Sequence, residues 1–155
     1  MVVLPKGHPG LDVFGAEFGG MLGILEERPA EVKGDAGLFA GATDIIGTPR
    51  LLKLTEEGPD DRVDARAFLS ARLVDLFLGD WDRHADQWRW ARFGDETPRR
   101  WVPIPRDRDQ AFARFDGLLL TLARSSLPQF VNFGPSYPGM LGLTWNGRDL
   151  DRRFL

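Results

Sequence analysis

The chain has 155 residues, 43% hydrophobic and 28% charged, with a net charge of −3. That size and balance predict one soluble globular domain, and the dispersed basic residues leave no electrostatic footprint for nucleic acid. With no cysteine, disulfides, thiolate metal sites and cysteine nucleophiles are excluded. No stretch reaches the roughly 20 apolar residues of a membrane helix.

Val2 to Pro5 reads as a short strand, and the opening "MVVLPKGHPG" has too short an apolar run for a signal peptide. From Leu11 to Glu27, apolar residues at Leu11, Phe14, Phe18, Met21, Leu22 and Leu25 recur three and four apart. This spacing predicts an amphipathic helix, although Gly15, Gly19, Gly20 and Gly23 weaken it by about 1 kcal/mol each. Ala30 to Gly41 reads as loop. Asp44 to Glu57 contains a short helix, with Thr48 as N-cap and Pro49 at its first position.

The strongest helix signal runs from Asp61 to Leu78, capped by Asp61 or Asp64. Phe68, Leu69, Leu73, Leu76 and Phe77 are expected to face inward. Its end, "LVDLFL", is apolar on nearly every side and suggests a central helix. Gly79 suits the stop. "QWRWARF" then alternates, with Trp88 and Trp90 on one face. After the turn "GDETP", "RRWVPIP" reads as a second extended run, whose prolines argue for an edge or irregular strand. The region from Phe115 is rich in Gly and Pro at its middle, and a last helix is expected over 146–155. The abrupt start and the ending "RDLDRRFL" suggest a fragment of a longer protein. The expected fold class is α+β: one domain over 1–155, mainly helical, around a hairpin, with its central unit at 61–117.

"GDWDRHADQW", from Gly79 to Trp88, concentrates the candidate chemistry. Asp80, Asp82 and Asp86 precede the hairpin, and Asp107 and Asp109 follow it. A hairpin brings its ends together, so five carboxylates are expected to converge. Like charges that close are costly unless something answers them. A hard divalent cation is one answer, since Mg²⁺ commonly takes one or two protein carboxylates plus substrate phosphates. Ion pairs with Arg83, Arg106 and Arg108 are the other, and would make the loops ordinary charged turns. His84 alone would more often be a structural histidine, and the tryptophans core rather than a stacking platform.

The order of elements matches a further pattern. Kinases place an Asp base five residues before a metal-binding amide, then two strands, then a second metal-binding Asp. Here Gln87 lies five residues after Asp82, and Asp107 lies 25 residues after it. "GDWDRHADQW" resembles the catalytic loop of atypical kinases, among them HipA-type toxin kinases, secretory-pathway casein kinases and phosphoinositide kinases. "RDRDQAF" is similar to the metal loop of CotH-type spore-coat kinases. The stretch 61–117 also resembles a bacterial group of uncharacterised kinase-like proteins, some joined to metallophosphoesterase or outer-membrane-barrel segments.

The resemblance implies a kinase-like C-lobe using Mg²⁺ or Mn²⁺ and ATP, acting on a hydroxyl acceptor the sequence does not name. It implies that Asp82 is the base and that His84 braces the loop. Asp107 would be the main metal ligand, with Gln87 in the place usually held by Asn or Glu, Asp109 as a further ligand and Asp80 behind them. The upstream N-lobe is largely missing. The only lysines are Lys6, Lys33 and Lys53, none in a strand of the expected kind, and no Gly-rich phosphate loop is present. Two rivals stay open: a metal-dependent phosphohydrolase, short of histidines, and a non-catalytic pseudokinase or scaffold segment of an envelope protein. The compartment stays open between the bacterial envelope and the cytoplasm.

Overall fold

A computed structural model describes residues 2–3, 6–7, 9, 14–23, 39–137 and 139–155. Among these, β1 (Val2–Val3) pairs antiparallel with β2 (Leu22–Gly23), on either side of the one-turn helix α1 (Gly15–Phe18). The helix expected over 11–27 is therefore corrected within 14–23, whereas 11–13 and 24–27 lie outside the described residues. Gly20 takes a φ of 89°, which a helix cannot contain, and the chain turns back there as a strand. Leu4 and Pro5, the end of the first expected strand, lie outside the described residues, as do 30–38 of the expected loop.

The fold is α+β, built on a four-stranded sheet in the order β3-β5-β6-β4. Strand β3 (Asp44–Gly47) leads directly into α2 (Thr48–Glu57). Strand β4 (Asp61–Val63) precedes α3 (Ala65–Leu78), and the hairpin β5 (Trp88–Arg92) and β6 (Arg99–Pro105) follows. Strands β3 and β5, like β5 and β6, pair antiparallel, whereas β4 runs parallel to β6. Short helices α4 (Leu118–Arg124) and α5 (Leu141–Thr144) and the terminal α6 (Arg148–Phe154) complete the chain.

Three sequence expectations change here. The helix expected from Asp61 begins at Ala65, capped by Asp64, whose carboxylate accepts from the Ala67 amide. Asp61 belongs instead to β4, and its carboxylate accepts from the Arg99 guanidinium and from Trp101 Nε1 at 2.7 Å. Thr48 is the first helical residue rather than the cap. Its hydroxyl donates to the Ala85 carbonyl at 2.7 Å and accepts from Trp90 Nε1 at 3.0 Å. Strand β6 is not an edge: β5 lies on one side and β4 on the other. Its prolines are tolerated because β4 reaches only as far as Val63 opposite Trp101. The Trp101 carbonyl faces β4, accepting from the Asp64 amide. By alternation, Pro103 and Pro105 turn their missing N–H groups to that same side, beyond the end of β4.

The core collects on one sheet face. Trp88, Trp90 and Trp101 pack there with Ile46, Leu51, Phe68 and Leu150. The Trp88 and Trp90 rings stack at 6.0 Å, on one face as their spacing predicts. Each such buried ring contributes about 4–6 kcal/mol of transfer free energy as an upper bound. A smaller cluster of Ala42, Ile45 and Ala91 lies apart from it.

Helix α3 is turned otherwise than its apolar residues suggest. Its buried residues are Phe68, Arg72 and Asp75, at i, i+4 and i+7. Leu69, Leu73 and Phe77 are 43%, 55% and 78% exposed. Two forces set that rotation: Phe68 packs on the tryptophans, and the two charged residues join an ion-pair network that reaches Arg83, Arg108 and Asp151.

Candidate functional site

Gly79 closes α3 in the left-handed conformation, with φ 70°. The Asp80 amide reaches back to the Asp75 carbonyl at 2.9 Å, reversing the chain into the acidic loop. A Cβ at Gly79 would stand 2.8 Å from the Tyr137 hydroxyl, so the position excludes larger residues twice over.

The loop is held from within by Arg83, which is fully buried. Its Nε and Nη2 donate to Asp80 Oδ2 at 3.0 and 2.7 Å. The same guanidinium donates to the carbonyls of Arg106 at 2.5 Å, Asp107 at 2.8 Å and Gln87 at 3.4 Å. The Arg106 amide donates to the Gln87 carbonyl at 2.9 Å, extending the hairpin one bond beyond Trp88 and Pro105. The two acidic loops therefore meet, as the hairpin argument expects. A single buried arginine fastens them through backbone oxygens. From the sequence Arg83 stands only as one of several neutralising arginines, without this role. The Asp80-x-x-Arg83 spacing was the available signal.

Behind Arg83 lies a second layer that sequence reasoning missed. Asp75, fully buried, accepts from Arg108 Nε and Nη2 at 3.1 Å and from Arg72 Nη1 at 3.3 Å, and stands 3.5 Å from Arg83 Nε. Arg72 also grips Asp151 of α6 in a bidentate pair at 2.7 and 3.0 Å. Three arginines and three aspartates thus alternate from α6 to the second acidic loop. Burial pushes the Asp80 carboxyl above its ordinary range and the Asp75 charge adds to this, against the pull of Arg83 and Arg108. Asp80 Oδ1 is buried without a hydrogen-bond partner among the described residues.

Asp82 faces the other way and is partly exposed. Its Oδ1 accepts from Asn146 Nδ2 at 2.8 Å, and its Oδ2 lies 4.0 Å from His84 Nε2. His84 Nδ1 accepts from the Asp86 amide at 3.3 Å. That hydrogen bond assigns the imidazole proton to Nε2, the nitrogen directed at Asp82. Asn146 had no sequence signal, being 64 residues from its partner.

Of the remaining candidates, Gln87 is partly buried, and Asp107 and Asp109 are exposed. Asp107 adopts a left-handed φ of 48°. Neither carboxylate makes a hydrogen bond or ion pair among the described residues, in contrast to Asp75 and Asp80. The two loops meet, but the expected convergence of five carboxylates does not follow, since Asp80 is committed inward to Arg83. Among the described residues no three His, Asp or Glu side chains are grouped closely enough to hold a metal ion. Trp81 packs on Phe130 and Phe115, with ring centroids 5.4 and 6.2 Å away, so it ties the loop to the segment after the hairpin.

A cleft of about 330 Å³ opens elsewhere, lined by Thr55, Asp61, Arg62, Val63, Arg153 and Phe154. Asp61 pairs with Arg99 at the start of β6, whereas the acidic loops meet at Pro105. Six residues of strand, about 20 Å, separate the two. No helix among the described residues is long and apolar enough to cross a membrane. No family model, curated protein or solved structure matches the chain.

Proposed function

We propose that this chain is the C-lobe part of an atypical phosphotransferase, moving a phosphoryl or nucleotidyl group from a nucleoside triphosphate to a hydroxyl. The observation that carries the reading is the buried Arg83, which joins the loop bearing Asp82 and Gln87 to the loop bearing Asp107. That resembles the two-loop layout by which protein kinases carry out phosphoryl transfer, with a base on one loop and a metal-binding carboxylate on the other. Asp82 takes the role of base. One of its oxygens is oriented by Asn146, and His84 Nε2 stands 4.0 Å from the other.

The donors are oxygens, the type a hard cation takes. Asp107 and Asp109 are exposed carboxylates with no cationic partner among the described residues, and Gln87 adds an amide oxygen. Mg²⁺ or Mn²⁺ would be held by Asp107, with Gln87 and Asp109. When bound it would neutralise charge on the nucleotide phosphates. The chain's own contribution is positioning. Lys53 is exposed on α2 and faces Glu57 at 3.7 Å, and it takes no part in this proposal.

The pairing of Asp75 and Asp80 with arginines favours a second reading, a non-catalytic scaffold. Melting the protein with Mg²⁺, with Mn²⁺ and with each plus ATP separates the two. Stabilisation by metal and ATP that Asp107→Asn abolishes is the expected result. No shift with any ligand sinks the phosphotransferase reading in favour of the scaffold. Release of phosphate from a phosphomonoester without nucleotide indicates a phosphohydrolase instead.

A further inference from the structure

Asn146 sits in the turn between α5 and α6, yet it is held by the core. Leu150 and Phe154 of α6 pack with the tryptophan cluster, and Asp151 is gripped by Arg72. Gly147, the next residue, is buried so closely on Arg72 that a Cβ there would stand 2.7 Å from its Nη2. Arg72 in turn holds Asp75, which touches Arg83 and Arg108. The side-chain amide that reaches Asp82 is thus fixed by the same network that fixes both acidic loops.

We infer that Asn146 is a positioning residue for Asp82 that reserves one carboxylate oxygen for chemistry. The inference rests on the phosphotransfer reading above. Asn146 Nδ2 occupies Oδ1 at 2.8 Å, whereas the nearest group on Oδ2, His84 Nε2, stays at 4.0 Å, beyond hydrogen-bond length. Oδ2 is the oxygen with lone pairs available to an acceptor hydroxyl. In the step, the hydroxyl oxygen forms the new bond to phosphorus and its proton passes to Oδ2. The bond between phosphorus and the nucleoside diphosphate oxygen breaks, and the diphosphate leaves with that electron pair. Without Asn146 the carboxylate rotates freely about its last torsion, and the productive orientation becomes one of several.

The test uses ATP with Mn²⁺ or Mg²⁺ and water as the acceptor hydroxyl. Asn146→Ala is expected to lower kcat about ten- to a hundredfold, the scale of a misplaced reacting group, with KM for ATP nearly unchanged. Asn146→Ser, which keeps a donor, recovers part of the rate. Asn146→Asp, which loses the donor and adds a like charge, does not. A second readout needs no turnover: in metal-free protein, the NMR signals of the Asn146 side-chain amide should move on Asp82→Ala. Wild-type turnover that Asn146→Ala leaves intact overturns the inference, as do amide signals indifferent to Asp82→Ala. A wild type that never turns over ATP, with the amide coupling present, places the failure in the phosphotransfer reading and withdraws the catalytic role with it.

Discussion

Replacing Asp75 by Asn tests the buried network most directly. The substitution keeps the shape and removes one of three negative charges facing Arg72, Arg83 and Arg108. Asp75 and Arg83 are wholly buried and the Arg72 side chain is 3% exposed, so water cannot replace the lost charge there. Arg108 is 34% exposed and can turn outward, which limits the damage. Removing one partner of a buried pair costs about 3–5 kcal/mol, and the freedom of Arg108 points to the lower end. Against a typical total stability of about 5–15 kcal/mol, that is a large fraction. At this chain length it corresponds to a fall in Tm of about 6–12 °C. Urea unfolding followed by tryptophan fluorescence, with thermal melts alongside, measures it. Asp75→Asn combined with Arg108→Gln restores the charge count and should recover part of the loss. A loss below about 1 kcal/mol, the range of exposed pairs, would refute the claim that these charges are held away from water.

Two further predictions concern the sheet. The Arg99 guanidinium beside Asp61 holds that carboxyl below its ordinary value of 3.8, against the effect of burial and with help from Trp101. A depressed folded-state value means that the stability it contributes is present above 3.8 and is lost as pH falls through the lower, folded value. Melts of wild type and Asp61→Asn should therefore differ most near neutrality and converge below that pH; a constant gap would contradict the linkage. Thr48→Val leaves both the Trp90 N–H and the Ala85 carbonyl without their partner, and should cost about 2 kcal/mol or more by urea unfolding.

Features that depend on neighbours along the chain can be read from residue order alone. Trp88 and Trp90 share a face because strand side chains alternate, and Gly79 ends α3 because little else adopts its backbone angles cheaply. A hairpin must bring its ends together, so the meeting of the two acidic loops was legible before any coordinates. Three things were decided only by tertiary structure. Asp61 reads locally as a helix cap, yet parallel pairing with β6 draws it into a strand. Helix α3 is apolar on nearly every side only towards its end, and the face expected inward, with Leu69, Leu73 and Phe77, is not the face it buries. Arg83, Arg108 and Asp151 decided the buried face, since a buried charge must find its opposite wherever that lies in the chain. Asn146 meets Asp82 across 64 residues, a contact that no local spacing encodes. Periodicity and turn chemistry act over a few residues, whereas desolvated charge and hydrogen-bond satisfaction are settled only when distant segments close around them.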